Sequence, residues 1–323
     1  LVDAFFMEDG TEPILGYNAD GSPQINPNAP LYSEKGFSTE PEYRETDYYL
    51  MDGYNDNNYP DVTPERDGKR LIVQPNTFNM YCHREPRFYL TVVWNGQWFK
   101  WENRNTNFLY GGPDGGPTHD APQNGYLNRS RVSLDYIPRD NNHPYRPAII
   151  FRMAEAYLSY AEALNECSER MSYEQEILNN LNKIRHRAGI AEYGTGTDEN
   201  GFTRIKINFA DQKEVRRLIH KERRVEFVGE GIRYHDLRRW KTAHYGIGNM
   251  NEQGENPDWG VNGPDHGMNY YGTEYTDQGD NAFFKRTKYM DRVYPRKFYW
   301  YPIHQSEIDK DPTLVQGPFW LGE

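Results

Sequence analysis

The spacing of apolar residues along this chain changes near Pro147, from a period of about two to a period of about 3.6. From there the run RPAIIFRMAEAYLSYAEALNE predicts a helix with a proline near its start. The predicted apolar face of this helix consists of Met153, Tyr157, Tyr160, Ala161 and Leu164. The second half of the chain is therefore predicted to be helical.

Two further helices follow from the same pattern. Ser172 and Gln175 resemble a capping box, and Gly189 is a typical helix end. The apolar stripe between them is Ile177, Leu181, Ile184 and Ala188. Asp211 with Glu214 predicts the start of a third helix. The sequence GEG, 229–231, ends this helix, and a shorter helix follows it. The first two helices predict a hairpin of tetratricopeptide-like size, but one such pair does not make a solenoid.

The third helix carries glutamates inside its apolar stripe. A helical projection places its apolar residues and two carboxylates within roughly 120° of arc. These residues are Val215, Leu218, Ile219, Glu222, Val225, Glu226 and Gly229. We therefore expect Glu222 and Glu226 to be buried.

The remaining segments lack a helical period. Residues 1–146 are rich in turn-forming pairs and predict a loop-rich region. Within it, two aromatic and β-branched runs flank Asn95-Gly96, which predicts a β-hairpin over 87–102. Residues 244–284 read as one long aromatic loop between the helical region 147–243 and a C-terminal segment, 285–323. The predicted fold is mainly α, with irregular loops and a small β-hairpin, in one body spanning 1–323.

Composition narrows the classes of function. Aliphatic residues are scarce, but aromatic residues make up 15% of the chain, so a packed core is expected. The net charge of −11 argues against non-specific binding to nucleic acid. With only Cys82 and Cys167, the sequence offers no disulfide framework and no zinc knuckle.

Two interpretations of Glu222 and Glu226 compete. Carboxylates one helical turn apart lie near the spacing of a retaining glycosidase. A catalytic acid needs a raised pKa, whereas the abundant arginines here would lower it. We favour the structural alternative, in which each glutamate is held by arginine from the next helix or from KIRHRAG, 183–189. The predicted ion-pair core consists of Glu222, Glu226, Arg233 and Asp236.

The long loop is the best candidate for ligand binding. Its aromatic rings alternate with Asn, Asp and Gly, a mixture that suits carbohydrate, although the rings are as well explained as anchors of the loop. The candidate ligand residues are Trp259, Tyr270, Tyr271 and Tyr275, together with Trp101 on the predicted hairpin. Metal-binding motifs of the His-Glu-x-x-His and Glu-x-x-His types are absent from the sequence. No metal, cofactor or catalytic residue is predicted, and calcium at the acidic segment 52–61 is left open.

Several segments together resemble a known family. They are LVDAFFMEDG at the start, EPRFYLTVVWNGQWF at 85–99, FRMAEAYLSYAEALNE at 151–166, LNKIRHRAGI at 181–190, ERRVEFVGEGIRYHDLRRW at 222–240 and FYWYPIHQSEIDKDPTLVQGPFW at 298–320. In this order they resemble the C-terminal part of SusD/RagB-type outer-membrane nutrient-binding proteins of Bacteroidetes. PIHQSEI and VQGPFW depart slightly from the family pattern.

The resemblance implies binding without catalysis. Members of this family capture oligosaccharides, or in some cases peptides, at the cell surface and pass them to a SusC-like TonB-dependent outer-membrane transporter. The resemblance also implies that the family's N-terminal helical region, lipoprotein signal and anchoring cysteine lie outside this chain. Family ligand sites vary, so none of the candidate residues is taken from the resemblance. A glycan-binding protein is the leading expectation, with a peptide-binding member, a glycosidase and a helical scaffold as alternatives.

Overall fold

The computed structural model describes residues 1–18, 21–44, 65–66, 69–99, 102, 104–130, 132, 140–145, 148–246, 260–273 and 282–320. The helices in these ranges are α1 Pro86–Thr91, α2 Met153–Glu166, α3 Glu174–Ala188, α4 Gln212–Glu226, α5 Ile232–Arg239 and α6 Gln305–Lys310. The strands are β1 Ile14–Tyr17, β2 Pro23–Ile25, β3 Glu42–Arg44, β4 Glu65–Arg66, β5 Lys69–Val73, β6 Val92–Val93, β7 Trp98–Phe99, β8 Arg104–Asn105, β9 Leu127–Asn128, β10 Gly263–Met268 and β11 Arg286–Arg292.

All strand pairs in the described ranges are antiparallel and small. The pairs are β1 with β2, β6 with β9, β7 with β8, and β10 with β11, and the largest sheet has the order β3-β5-β4. The predicted mainly α fold with irregular loops is confirmed. In the described part of the chain, no helix has the length and hydropathy needed to cross a bilayer.

The helices α2, α3 and α4 enclose one hydrophobic cluster, to which each contributes its apolar stripe. The predicted stripe of α3 is confirmed, because Ile177, Leu181, Ile184 and Ala188 are all buried. Gly189 ends α3 in the left-handed region, with φ of 70°, as a C-terminal glycine does. This part of the fold follows from local sequence alone.

The predicted beginnings of the first two helices were wrong. α2 starts at Met153, which is 57% exposed, and Tyr160 lies outside the core with its hydroxyl donating to Glu176. Of the predicted face, Ala161 and Leu164 are buried as expected, and Leu158 is buried beside them because this helix packs against both α3 and α4. Ser172 lies in a short 3-10 turn before α3 and makes no capping bond. Tyr173 is the N-cap, without a side-chain hydrogen bond.

The start and the buried face of α4 were predicted correctly. The Asp211 carboxylate accepts hydrogen bonds from the backbone N–H groups of Lys213 at 2.9 Å and Glu214 at 3.3 Å. The predicted stripe is buried throughout the helix, with both glutamates in it. Gly229 lies beyond the helix, is exposed and has φ of 76°.

The predicted hairpin over 87–102 was wrong. Residues 86–91 form α1, and the strands on either side of the Asn95-Gly96 turn pair with β9 and β8 rather than with each other. Pro86 at the first helical position favours α1. The fully buried Phe88 ring stacks on Trp94, with the centroids 5.6 Å apart. The turn itself is present, since Gln97 N–H donates to the Trp94 carbonyl at 3.3 Å.

The segment 244–284 is not one loop. Residues 263–268 form β10, which pairs with β11 in the C-terminal segment. The sequence GPDHGM shows no alternation of apolar and polar residues, so its pairing depends on a partner about 20 residues away and was not visible in the local pattern.

Candidate functional site

The two glutamates of α4 lie in a buried network of ion pairs. Glu222 is fully buried, and its oxygens contact Arg87 Nη1 at 2.6 Å and Arg185 Nη1 at 3.3 Å. Arg87 also contacts Glu226 Oε2 at 3.1 Å and, through Nε, Glu85 Oε2 at 2.6 Å. One guanidinium from α1 therefore joins three buried carboxylates.

Glu226 has two further arginine partners, Arg152 and Arg187. Arg152 also contacts Glu230 Oε1 at 2.7 Å and donates to the Glu226 carbonyl at 2.7 Å. Burial alone would raise the pKa of Glu226, but the charges of Arg87 and Arg187 outweigh burial and hold its pKa below the usual value. A general acid needs the opposite shift, so the environment of Glu226 favours the structural interpretation.

The other two residues of the predicted ion-pair core lie on α5. Asp236 is buried, and its carboxylate accepts hydrogen bonds from Arg223 Nε and Nη2, both at 2.9 Å. It also accepts one from Arg239 Nη2 at 3.0 Å. Arg233 is half-buried, and its charge, after burial itself, helps to lower the pKa of His220. Arginines from 183–189 do hold the glutamates, as predicted, through Arg185 and Arg187.

Sequence reasoning did not identify Arg87 and Arg152. Arg87 lies 135 residues from Glu222, and Arg152 lies 74 residues from Glu226. Each stands beside an aromatic residue, in EPRF and FRMA, but so do other arginines of the chain. Only the packing of α1 and of the residue before α2 against α4 distinguishes these two.

Two partly buried ion pairs of Glu12 connect the first residues to α4. Glu12 contacts Arg217 Nη1 at 2.8 Å and Lys221 Nζ at 3.2 Å. Burial raises the pKa of Glu12, but the charges of Lys221 and Arg217 outweigh it and lower the pKa from 4.5 to about 2. The stabilisation is therefore complete above pH 4.5 and is lost as the pH falls to about 2.

We predict that Glu12→Gln lowers the free energy of unfolding by about 2 kcal/mol at neutral pH, because charge-assisted hydrogen bonds are lost. The difference between parent and variant should shrink as the pH falls from 4.5 to about 2. Urea unfolding across this pH range measures it. Parallel stability curves for the two proteins would contradict the prediction.

Two of the candidate ligand residues on the long loop, Tyr270 and Tyr271, lie in the described part of the chain. One is buried and the other is exposed. Tyr270 is only 5% exposed, and its hydroxyl donates to the Thr118 carbonyl at 2.7 Å. A Cβ at Gly116 would lie 2.6 Å from the Tyr270 ring, so the loop approaches closely because of this glycine. Tyr270 therefore has the anchoring role that was the alternative to ligand binding.

Tyr271 faces outward and is 70% exposed, with its ring centroid 4.7 Å from that of Tyr270. Tyr110, at the start of the glycine-rich loop YGGPDGGPTHD (110–120), is 42% exposed. We call Tyr110, Tyr271 and the loop 111–118 the tyrosine surface. The other candidates, Trp259, Tyr275 and Trp101, lie outside the described residues, as does the acidic segment 52–61 considered for calcium.

The glycine-rich loop is held in one shape by its own contacts. Arg104 donates to both oxygens of Asp114, at 2.6 and 2.7 Å, and Asp114 accepts the Asn107 N–H at 2.8 Å. Gly111 N–H donates to the Gly116 carbonyl at 2.7 Å. The sequence predicted only that this segment belongs to the loop-rich region 1–146. The structure shows a fixed backbone beside an exposed ring, which suits stacking with hydrogen bonds at its edge.

A cleft of about 710 Å³ lies between α3 and residues 192–204. Three of its lining residues are paired with each other, since Glu192 contacts Arg204 at 2.8 Å and His186 at 3.4 Å. Tyr193 in its wall is buried. The described lining of this cleft thus offers polar groups but no exposed aromatic ring for stacking.

Comparison with known proteins assigns the fold. The model of the SusD family matches residues 1–320, and the chain therefore belongs to the SusD family. SusD-like protein P25 of Formosa agariphila is 35% identical over 109 residues, which cover 34% of this chain and 18% of that protein.

Solved structures show the same fold. A SusD-like protein from Bacteroides fragilis matches with a TM-score of 0.57 at 24% identity. The matched region is 99% of this chain and 46% of the Bacteroides fragilis protein. The protein BT4246 matches with a TM-score of 0.59 at 20% identity, over 99% of this chain and 43% of BT4246. The chain thus spans less than half the length of these relatives. The predicted SusD-like fold is confirmed.

Proposed function

We propose that this protein binds oligosaccharide nutrients without catalysis at the outer-membrane surface and passes them to a SusC-like TonB-dependent transporter. The observation that carries the proposal is membership of the SusD family over residues 1–320, because proteins of this family are in general glycan-binding proteins of nutrient uptake. The transporter and the surface location belong to the proposal for the same reason.

The tyrosine surface supports a sugar ligand. The exposed Tyr271 ring rests edge to face against Tyr270, at an interplanar angle of 76°, and Tyr270 is fixed to the loop by its hydroxyl. A ring held in this way loses little conformational freedom when a ligand stacks on it. The C–H face of a sugar is the apolar surface that such a ring accepts.

The alternative of glycoside hydrolysis by Glu222 and Glu226 has less support. The exposed fraction of the Glu222 side chain is 0% and that of Glu226 is 2%, so a substrate in solvent does not reach them. Arginine contacts satisfy both carboxylates, and the pKa of Glu226 is lowered rather than raised. Their chemistry is that of a buried structural network.

We predict that calorimetry against a panel of plant and host oligosaccharides detects binding, and that Tyr271→Ala weakens it about tenfold, since a stacked ring contributes up to about 1.5 kcal/mol. Tyr301→Ala is the matched control, because Tyr301 is 73% exposed and lies against Arg238 and Tyr234. The control should bind as the parent does.

The same panel distinguishes the alternatives. Heat with peptides and with none of the glycans would replace the proposal with the peptide-binding alternative. Release of new reducing ends from a bound glycan would support the hydrolase and overturn a purely binding role. Binding that Tyr271→Ala leaves unchanged would place the ligand away from the tyrosine surface.

A further inference from the structure

Three side chains from distant segments converge at a site apart from the tyrosine surface. Glu8 follows the first turn of the chain, Glu42 begins β3, and His83 precedes α1. One potential ligand atom from each lies within 4.8 Å of the other two. The exposed fractions of the three side chains are 30%, 11% and 38%, so an ion from solvent can reach them. We call this group the Glu8–Glu42–His83 cluster.

The carboxylate oxygens of the cluster divide into two sets. Arg44 contacts the Oε2 atoms of both glutamates, and its distance to Glu42 Oε2 is 3.2 Å. Glu42 Oε2 also accepts from the Tyr89 hydroxyl at 3.4 Å and from the His83 backbone N–H at 3.1 Å. The Oε1 atoms face the imidazole of His83, with Nδ1 at 3.3 Å from Glu8 and 3.7 Å from Glu42. Arg44 therefore occupies one side of the carboxylate pair and leaves the other side directed at His83.

The distances from His83 Nδ1 to the two carboxylates fit ligands of a shared ion. A charge-assisted hydrogen bond between imidazolium and carboxylate measures about 2.7–2.9 Å, which is shorter than both contacts of Nδ1. A tetrahedral zinc ion with Zn–N and Zn–O bonds of about 2.1 Å places neighbouring ligand atoms about 3.4 Å apart. The observed 3.3 and 3.7 Å lie on either side of this value.

The backbone fixes the three residues before any ion binds. Glu8 N–H donates to the His83 carbonyl at 2.8 Å, and His83 N–H donates to Glu42 Oε1 at 2.9 Å. An isolated β-bridge joins Met7 to Arg84 beside them. Ligands that are held in place in this way lose little freedom on binding a metal, and a group in the position of Arg44 orients the carboxylates from behind.

We propose that the Glu8–Glu42–His83 cluster binds a divalent transition metal ion of the zinc type, through His83 Nδ1 and one oxygen from each glutamate, with water as the fourth ligand. The ion would connect the first residues of the chain to β3 and to the segment before α1. This role is independent of ligand binding at the tyrosine surface. It extends the proposed function by a structural metal site.

The test is calorimetric titration of the metal-free protein with Zn²⁺, together with the absorption spectrum of the Co²⁺ form. We expect one equivalent to bind, with the intense visible bands of tetrahedral cobalt. His83→Asn should weaken binding at least roughly 100-fold, more than the loss of an outer-shell partner would. Asparagine suits this position because φ of His83 is 54°, a left-handed conformation that it tolerates.

Two further variants make the result decisive. Glu8→Gln should weaken Zn²⁺ binding as His83→Asn does, and both variants should show one cooperative melting transition in the absence of metal, which shows that they fold. His119→Ala is the matched control, because His119 Nε2 lies 3.3 Å from Asp120 Oδ1 in an exposed pair that offers only two ligands. It should bind Zn²⁺ as the parent does. Absence of stoichiometric binding, or equal affinity in the parent and His83→Asn, would overturn the proposal.

Discussion

Replacing Arg185 with methionine should lower the free energy of unfolding by about 3–5 kcal/mol, because it removes one partner of a buried ion pair. Arg185 is fully buried on α3. Its Nε donates to the Ala191 carbonyl at 2.6 Å and its Nη2 donates to the Gly10 carbonyl at 2.9 Å. Its Nη1 lies 3.3 Å from Glu222, whose exposed fraction is 0%. The variant leaves two buried carbonyls and a buried carboxylate short of a donor.

The measurement is urea unfolding at neutral pH. Methionine keeps an unbranched apolar stem like that of arginine, so the loss reports removal of the guanidinium rather than of the stem. Arg187→Met on the same helix is the matched control, since its side chain is 52% exposed and Glu226 keeps Arg87 and Arg152. We expect the control to lose about 1 kcal/mol or less. Equal losses in the two variants would contradict this account of Arg185.

Local sequence was sufficient to predict those helices whose apolar stripe and ends are visible within their own residues. The stripes of α3 and α4 repeat at the helical period over four turns, and Asp211 and Gly189 mark a helix start and a helix end with their own chemistry. Even two glutamates inside the stripe of α4 did not obscure it, because their positions on the helix, and not their polarity, determine burial. The sequence therefore predicted that Glu222 and Glu226 are buried.

Distant contacts explain the errors. The residues 86–91 have strand-like composition, yet they form α1 because Phe88 and Tyr89 pack into the aromatic core from a helix that begins at Pro86. β6 pairs with β9, which lies more than 30 residues further along the chain. Neither partner is visible in a window of local sequence, so composition alone favoured a hairpin.

The candidate site shows the same limit. The sequence identified Tyr270 and Tyr271 as a pair, but it could not tell which ring faces inward. That depends on Thr118, 152 residues from Tyr270, and on the close approach of Gly116. The Glu8–Glu42–His83 cluster is of the same kind, because 75 residues separate Glu8 from His83. Spacing along the chain carries no sign of such a cluster, and only the folded backbone brings it together.

Glu226→Ala should lower the free energy of unfolding by about 3 kcal/mol or more, because several arginines lose their shared carboxylate at once. Arg87 Nη1 lies 3.1 Å from Glu226, and Arg152 and Arg187 contact its other oxygen. Arg87 is the most affected of the three, since its side chain is only 12% exposed. Its charge would then be balanced by Glu85 and Glu222 alone.

The pH dependence of this loss identifies its cause. The folded-state pKa of Glu226 lies below the ordinary 4.5, since Arg87 and Arg187 outweigh the opposing effect of burial, so its stabilisation is complete above pH 4.5 and fades as the pH falls below that value. The difference between parent and Glu226→Ala in urea should therefore narrow on acidification. Glu230→Ala is the control, because Glu230 contacts Arg152 at 2.7 Å and its side chain is 19% exposed. We expect it to lose about 1 kcal/mol or less. A melting temperature of Glu226→Ala within about a degree of the parent would contradict a loss of this size.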